Sequence, residues 1–265
     1  MNKLIGHRGF SSFEVDNSKE SVMALEDLPY VFAIEVDIRL TKDKRLVAIH
    51  DQNVNFVSNG SGIVEESSYL YLRTLWFHEN YIDMFKLYSK SFRLKDGKII
   101  RERLRDKTKK KVRLYLIEDL IKASTKNFVV EIKCSKDYSE ILEHSLDFIK
   151  KNKKRIVVKS FNAKFIEDLK EKLNGSVEVG IIISKNKHLK NLNSSADFYS
   201  IKSDIITKDM VTTLRKSNKR IMVWSINTFE SLVSLQTKLE GEFKYVEIIT
   251  NYPDLIYNYL KGDNK

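Results

Sequence analysis

The chain has 265 residues, 42% hydrophobic and 11% aromatic, which is enough to fill one α/β unit spanning residues 1–265 and excludes a disordered or fibrous class. Its longest apolar runs, such as Phe128-Val129-Val130 and Ile181-Ile182-Ile183, fall far short of the ~20 residues that span a bilayer. The formal net charge of +11 suits an anionic partner, without choosing among phosphate ester, membrane surface and nucleic acid.

Lys3-Leu4-Ile5-Gly6-His7 predicts a first strand ending in His7-Arg8-Gly9. A motif this early leaves no room for a secretory signal in the numbered chain, so a cytoplasmic location is expected. Asn17, with Glu20 three residues on, resembles the capping box that opens a helix. From Phe32 to Leu40, Ile34, Val36 and Ile38 alternate with Glu35, Asp37 and Arg39, and period two makes a strand. Leu46 to His50 predicts another, after the turn-like Lys42-Asp43-Lys44.

Residues 76–113 break the rhythm and are expected to form a small insertion. Within it, Asp96-Gly97 between the alternating residues of Phe92 to Ile100 predicts a hairpin. Between Arg101 and Arg113, eight basic side chains (Arg101, Arg103, Arg105, Lys107, Lys109, Lys110, Lys111, Arg113) are opposed only by Glu102 and Asp106. A solvated surface loop is favoured here over a specific anion site, with peripheral contact to an anionic membrane as the functional alternative.

Later strands are predicted at Phe128 to Lys133, Arg155 to Val158, Val177 to Ile183, Ala196 to Ile201, Arg220 to Ser225 and Tyr245 to Thr250. Between them, Tyr138, Ile141, Leu142, Ser145 and Ile149 make one helical stripe, and Phe165, Ile166, Leu169 and Leu173 another. The single cysteine, Cys134, excludes an intrachain disulfide and agrees with a reducing compartment. A last helix starts at Pro253 and stops before Gly262. Such β-then-α alternation calls for a mostly parallel sheet, either an eight-stranded (βα)8 TIM barrel or an open doubly wound sheet. Strand count, and the lack of a glycine-rich phosphate loop after the first strand, favour the barrel.

Glu35 and Asp37 sit two apart on a strand, so both carboxylates leave the same face and can share one cation. All-oxygen ligation suits a hard divalent ion, Mg²⁺ or Ca²⁺, better than zinc. Glu131 lies in the apolar run Val129 to Lys133 and needs a partner there. The same metal and Lys133, two residues on, are equal candidates. His7 and His50 each end an apolar run, at the strand ends where barrel active sites assemble. Arg8 is suited to hold a phosphate oxygen as a forked donor.

Taken in order, His7-Arg8-Gly9, Asp16-Asn17-Ser18, Glu35-Val36-Asp37, Leu40-Thr41-Lys42-Asp43, His50-Asp51, Asn59-Gly60, Glu131-Ile132-Lys133, Ser160-Phe161, Val223 to Asn227 and Ile249 to Asp254 resemble the glycerophosphodiester phosphodiesterase family over almost the whole chain. That resemblance implies a (βα)8 barrel with its insertion at 76–113, and a divalent metal held by Glu35, Asp37 and Glu131. It further implies His7 and His50 as the acid/base pair, Arg8 and Lys133 as phosphate contacts, and Trp224 at the mouth against substrate, although Trp224 also suits core packing. The chain departs from the family pattern at Asp16, where Glu is usual, and at Ser18, where Thr is common. Phe56-Val57-Ser58 replaces Arg-Thr-Thr before Asn59-Gly60, and Leu114-Tyr115 replaces Pro-Thr. The expected reaction is hydrolysis of a small glycerophosphodiester to glycerol 3-phosphate and an alcohol. Its rivals are a lysophospholipase D-type activity on lysolipids and an inactive barrel binding anionic lipid or nucleic acid, with nucleic acid the less favoured partner.

Overall fold

A computed structural model describes residues 2–78, 94–135 and 137–262. Strands β1 (Leu4–Gly6), β2 (Val31–Leu40), β3 (Leu46–Ala48), β4 (Asn127–Ile132), β5 (Ile156–Ser160), β6 (Val179–Ile183), β7 (Phe198–Lys202), β8 (Arg220–Trp224) and β9 (Glu247–Thr250) form one sheet. Eight of them are parallel and close on themselves through the β1–β2 and β1–β9 pairings, which makes the expected TIM barrel.

The ninth strand, β3, lies outside the ring as an antiparallel partner of β2, with Ile38 opposite Ala48 and Leu40 opposite Leu46. β2 is ten residues long and overshoots the barrel, so the hairpin carries the chain back to its rim. His50 therefore reaches the site from a returning arm and not from the end of a barrel strand. The Ile49 amide, bonded to the Asp37 carbonyl at 3.0 Å, fixes that return.

Two apolar layers result. Ile5, Ala33, Val129, Phe198, Met222 and Ile249 fill the barrel interior. The larger core lies between strands and helices, where the helix Ser139–Asn152 buries Ile141, Leu142, Ser145, Phe148 and Ile149, and the helix Ala163–Leu173 buries Phe165, Ile166, Leu169 and Leu173. Both stripes follow the sequence spacing. The last helix, Pro253–Lys261, ends at a left-handed Gly262 as expected.

Three expectations need correction. The first helix, Lys19–Met23, is capped by Ser18 and not by Asn17: Ser18 and Ser21 form the capping box, while the Asn17 amide is engaged elsewhere. The hairpin expected at Phe92 to Ile100 is instead part of the helix Leu94–Lys107, which takes in Asp96-Gly97; Phe92 and Arg93 lie outside the described residues. Ile100 and Leu104, four apart on one face, pack against Tyr252 and Leu255. That tertiary burial outweighs a two-residue turn signal. The basic stretch 101–113 is also no solvated loop, since Arg103, Lys107, Lys110 and Arg113 all bond back to the barrel or its rim. Near the two ends of residues 76–113, Phe77 and Val112 exchange backbone hydrogen bonds of 2.8 and 2.9 Å.

Candidate active site

Register builds the floor of the site. On β2 the alternation that makes a strand also points Glu35 and Asp37 into the barrel, and pairing sets Asp37 opposite Glu131 on β4 and Glu131 opposite Lys159 on β5. One row across three strands therefore reads acid, acid, base. Glu35, Asp37 and Glu131 are all buried, and each offers an oxygen within 4.8 Å of the others.

Three cations balance these carboxylates. Lys133 Nζ lies 2.9 Å from Asp37 Oδ1 and also bonds Glu131. Arg8 Nε lies 3.2 Å from Asp37 Oδ2. Lys159 Nζ lies 2.9 Å from Glu35 Oε1 and 3.6 Å from Glu131 Oε2. Burial alone would raise the Asp37 pKa, yet Lys133 and Arg8 hold it well below the usual carboxylate range. Burial likewise disfavours charge on Lys133 and Arg8, and their carboxylate partners more than compensate, so both pKa values rise.

The β1–α connection places the rest. Gly9 has φ +82°, and a Cβ there would come within 2.8 Å of the Ser21 backbone carbon, so only glycine allows the loop to close on the first helix. Arg8, just before it, and Asn17, whose amide bonds the Arg8 carbonyl at 3.0 Å, also take positive φ, 54° and 55°, a conformation that costs a non-glycine residue roughly 1 kcal/mol or more. These turns aim the Arg8 amide at Glu35 Oε2 (3.1 Å). They also let Asn17 grip Asp37 twice, accepting from its amide at 2.9 Å and donating to Oδ2 at 3.1 Å.

Each expected histidine has a partner at Nδ1. His7 Nδ1 is 2.7 Å from Asn251 Oδ1, an amide oxygen that only accepts, so Nδ1 carries the hydrogen and Nε2 keeps a lone pair. Burial lowers the His7 pKa against the opposing pull of Glu35, which favours the neutral ring. His50 Nδ1 is 2.7 Å from Asp51 Oδ1, a carboxylate able to stabilise an imidazolium.

A cavity of about 270 Å³ opens above these groups. His7, Arg8, Asp16, Asn17, His50 and Asp51 form its polar side, and Val15, Val57, Phe77, Leu104, Val112 and Leu114 its apolar wall. The carboxylate triad and Lys133 sit beyond this lining, with Arg8 bridging the two regions through its contact with Asp37. Trp224 is outside the lining too. Its indole donates to the Ser200 carbonyl at 3.0 Å, and its ring meets Phe161 edge-on at 6.3 Å.

Lys159, Asp51 and Lys107 also belong to this neighbourhood, though the sequence assigned them no role. Lys159 carried a signal, a charge in the apolar run Ile156 to Ser160, but the strand predicted there stops at Val158. Asp51 was visible only as the neighbour of His50. Lys107 was hidden within the basic cluster.

The fold and the site define a TIM barrel with an acidic, cation-balanced centre at its C-terminal mouth. Comparison with known proteins is consistent with this. The sequence pattern of the glycerophosphoryl diester phosphodiesterase family matches residues 7–255, and the chain belongs to that family. YhdW of Bacillus subtilis (strain 168) is 26% identical over 271 residues, covering 98% of this chain and 99% of its own. A solved structure from Silicibacter pomeroyi DSS-3 superposes with a TM-score of 0.80 at 15% identity, covering 99% of this chain and 94% of that one. An Oleispira antarctica phosphodiesterase, solved with the product sn-glycerol-3-phosphate, gives 0.73 at 16% identity, covering 98% and 96%. The protein is thus an enzyme of the phosphoric diester hydrolase class.

Proposed function

We propose that the chain hydrolyses small glycerophosphodiesters to glycerol 3-phosphate and an alcohol, with His7 as general base and His50 as general acid. The observation that carries this is the pairing of two separately oriented histidines with a buried carboxylate triad at one barrel mouth. The triad fits a divalent cation: Glu35 Oε1 is buried and, although Lys159 Nζ is 2.9 Å away, makes no well-directed hydrogen bond, and the donors are all carboxylate oxygens. Mg²⁺ or Ca²⁺ held by Glu35, Asp37 and Glu131 would supply electrostatic stabilisation of the phosphoryl oxygens.

The remaining steps belong to this chain's own side chains. Neutral His7 takes the proton of the attacking hydroxyl at Nε2 while Asn251 holds the ring; where that hydroxyl is water's, glycerol 3-phosphate forms directly, and where it is the substrate's glycerol hydroxyl, the alcohol leaves behind a cyclic phosphate that water opens in a second step. His50, held through Nδ1 by Asp51, delivers a proton to the leaving alkoxide. Asp16 accepts from Nη1 of Arg8, and Asp37 lies within ion-pair distance of Nε, which makes no well-directed hydrogen bond; the remaining guanidinium N–H groups serve a phosphoryl oxygen, and Lys133, just past β4, adds a second donor. Trp224, beside the exposed Phe161, forms part of the rim that meets substrate.

Turnover of glycerophosphocholine tests the proposal. Chelation should abolish it, and His50→Ala should lower kcat by about 10²- to 10⁴-fold in a folded protein. Full activity after either treatment would refute it.

The apolar wall favours a second reading, in which the alcohol is that of a lysolipid. The exposed Arg101, Arg105, Lys109 and Lys111 would then face an anionic membrane. Faster turnover of a lysophospholipid than of glycerophosphocholine would select it. In either case a cytoplasmic setting suits the single thiol.

A further inference from the structure

We propose that Lys107 is a positioning residue which fixes the phosphate-binding Arg8 from the insertion, by way of Asp16; this rests on the phosphodiesterase reading above. Lysine is rarely buried without a partner, yet the Lys107 side chain is only 5% exposed. Its Nζ lies 3.0 Å from Asp16 Oδ1 and donates to the Ser11 carbonyl. The second oxygen of the same carboxylate, Oδ2, accepts from Arg8 Nη1 at 3.1 Å. Arg8 Nε in turn lies 3.2 Å from Asp37 Oδ2. An unbroken file of alternating charge, Lys107, Asp16, Arg8, Asp37, thus runs from the insertion helix to the carboxylate triad.

The chemistry of this file explains why a cation is needed at its outer end. Asp16 can accept a planar guanidinium on both oxygens. With Lys107 on Oδ1, Arg8 is confined to Oδ2 through Nη1, and the residue lines the cavity. Without the ammonium at Oδ1, Arg8 would turn onto both oxygens and withdraw from the phosphoryl group. Lys107 is not needed merely to dock the insertion. Arg103 grips Asp254 through two nitrogens and reaches Ser12, and Lys110 bonds Glu14. Arg103 and Lys110 make no contact with Arg8 among the described residues.

The test compares Lys107→Met, Lys107→Arg and Arg103→Met in saturating Mg²⁺, reading thermal midpoint, KM and kcat on glycerophosphocholine, and affinity for sn-glycerol 3-phosphate by calorimetry. Lys107→Met should raise KM and weaken product binding by roughly tenfold or more, the scale of one misdirected charge-assisted hydrogen bond, with a smaller change in kcat. Lys107→Arg, which restores a cation at Oδ1, should recover most of that loss. Arg103→Met should lower the thermal midpoint and leave product affinity unchanged. Unaltered product binding in Lys107→Met, an equal loss in Arg103→Met, or no recovery in Lys107→Arg would each overturn the assignment. If Lys107→Met does not fold, Lys107→Gln serves in its place under the same criteria. A wild-type protein that neither binds sn-glycerol 3-phosphate nor turns over a diester would instead refute the underlying phosphodiesterase reading.

Discussion

Replacing Lys159 with methionine probes the charge balance of the triad directly. The Lys159 side chain is 4% exposed, and Nζ sits 2.9 Å from Glu35 Oε1 and 3.6 Å from Glu131 Oε2. At an effective permittivity near 20, the gross attractions are about 6 and 5 kcal/mol. Desolvation of the ammonium consumes much of this, and breaking a buried pair typically leaves a net loss of about 3–5 kcal/mol. For a domain of this size, each kcal/mol corresponds to about 2–4 °C in Tm, so the metal-free variant should melt roughly 6–20 °C lower. A divalent cation held by the triad as proposed would compete with Lys159 for the same oxygens, so the variant should also bind Mg²⁺ more tightly and be stabilised by it more than the wild type. Melting in EDTA and across a Mg²⁺ series, with calorimetric Mg²⁺ affinities, reads both effects. A drop under 2 °C in EDTA, or an affinity for Mg²⁺ unchanged or weakened, would refute this account of the site.

Other consequences are measurable without substrate. Gly9→Ala should lower stability by about 2 kcal/mol or more, because it forces a side chain to positive φ against the Ser21 backbone; a wild-type denaturation midpoint would contradict this. Burial acts to raise the Glu26 pKa, but hydrogen bonds from Ser124 and Thr125 prevail and lower it. Its contribution is therefore fully present above the unfolded value of 4.5 and is lost as pH falls through the lower folded value. Wild type and Glu26→Gln should converge in stability on acidification, and a constant gap would exclude this linkage. Burial pushes the Cys134 thiol up to about 11, so iodoacetamide should label it slowly at pH 8 in the native protein and rapidly in denaturant. Equal labelling rates would show that the thiol is open.

The barrel was legible because its signals are local. Alternation in β2 and apolar stripes such as Phe165 to Leu173 depend only on neighbours in the chain, and they survive in the folded protein. Glu35 and Asp37 were legible as two carboxylates on one strand face, and Glu131 as a charge that an apolar strand must account for. Lys159 is different: its own segment shows only a charge in an apolar run, and its role comes from the β4–β5 register that sets it opposite Glu131, a long-range fact. The Asp96-Gly97 signal failed for the converse reason: it is local, whereas the helix that contains it is held by Ile100 and Leu104 packing on residues 148 or more positions away. Asn17 could be recognised as a polar residue near a helix start, but not that its amide would be spent on Asp37 and the cap left to Ser18.

Two residues at positive φ in the β1–α connection, Arg8 and Asn17, show how the site is kept in shape. Arg8 and Asn17 both hold a disfavoured backbone conformation and both contact Asp37, one by ion pair and one by a reciprocal pair of hydrogen bonds. Such conformations persist only where surrounding contacts over-determine them. Here the contacts come from three directions: β2 below, the first helix behind, and Lys107 of the insertion acting through Asp16. A loop constrained from all three holds Arg8 at the cavity, so that on its proposed role ordering the phosphate contact would not draw on binding energy.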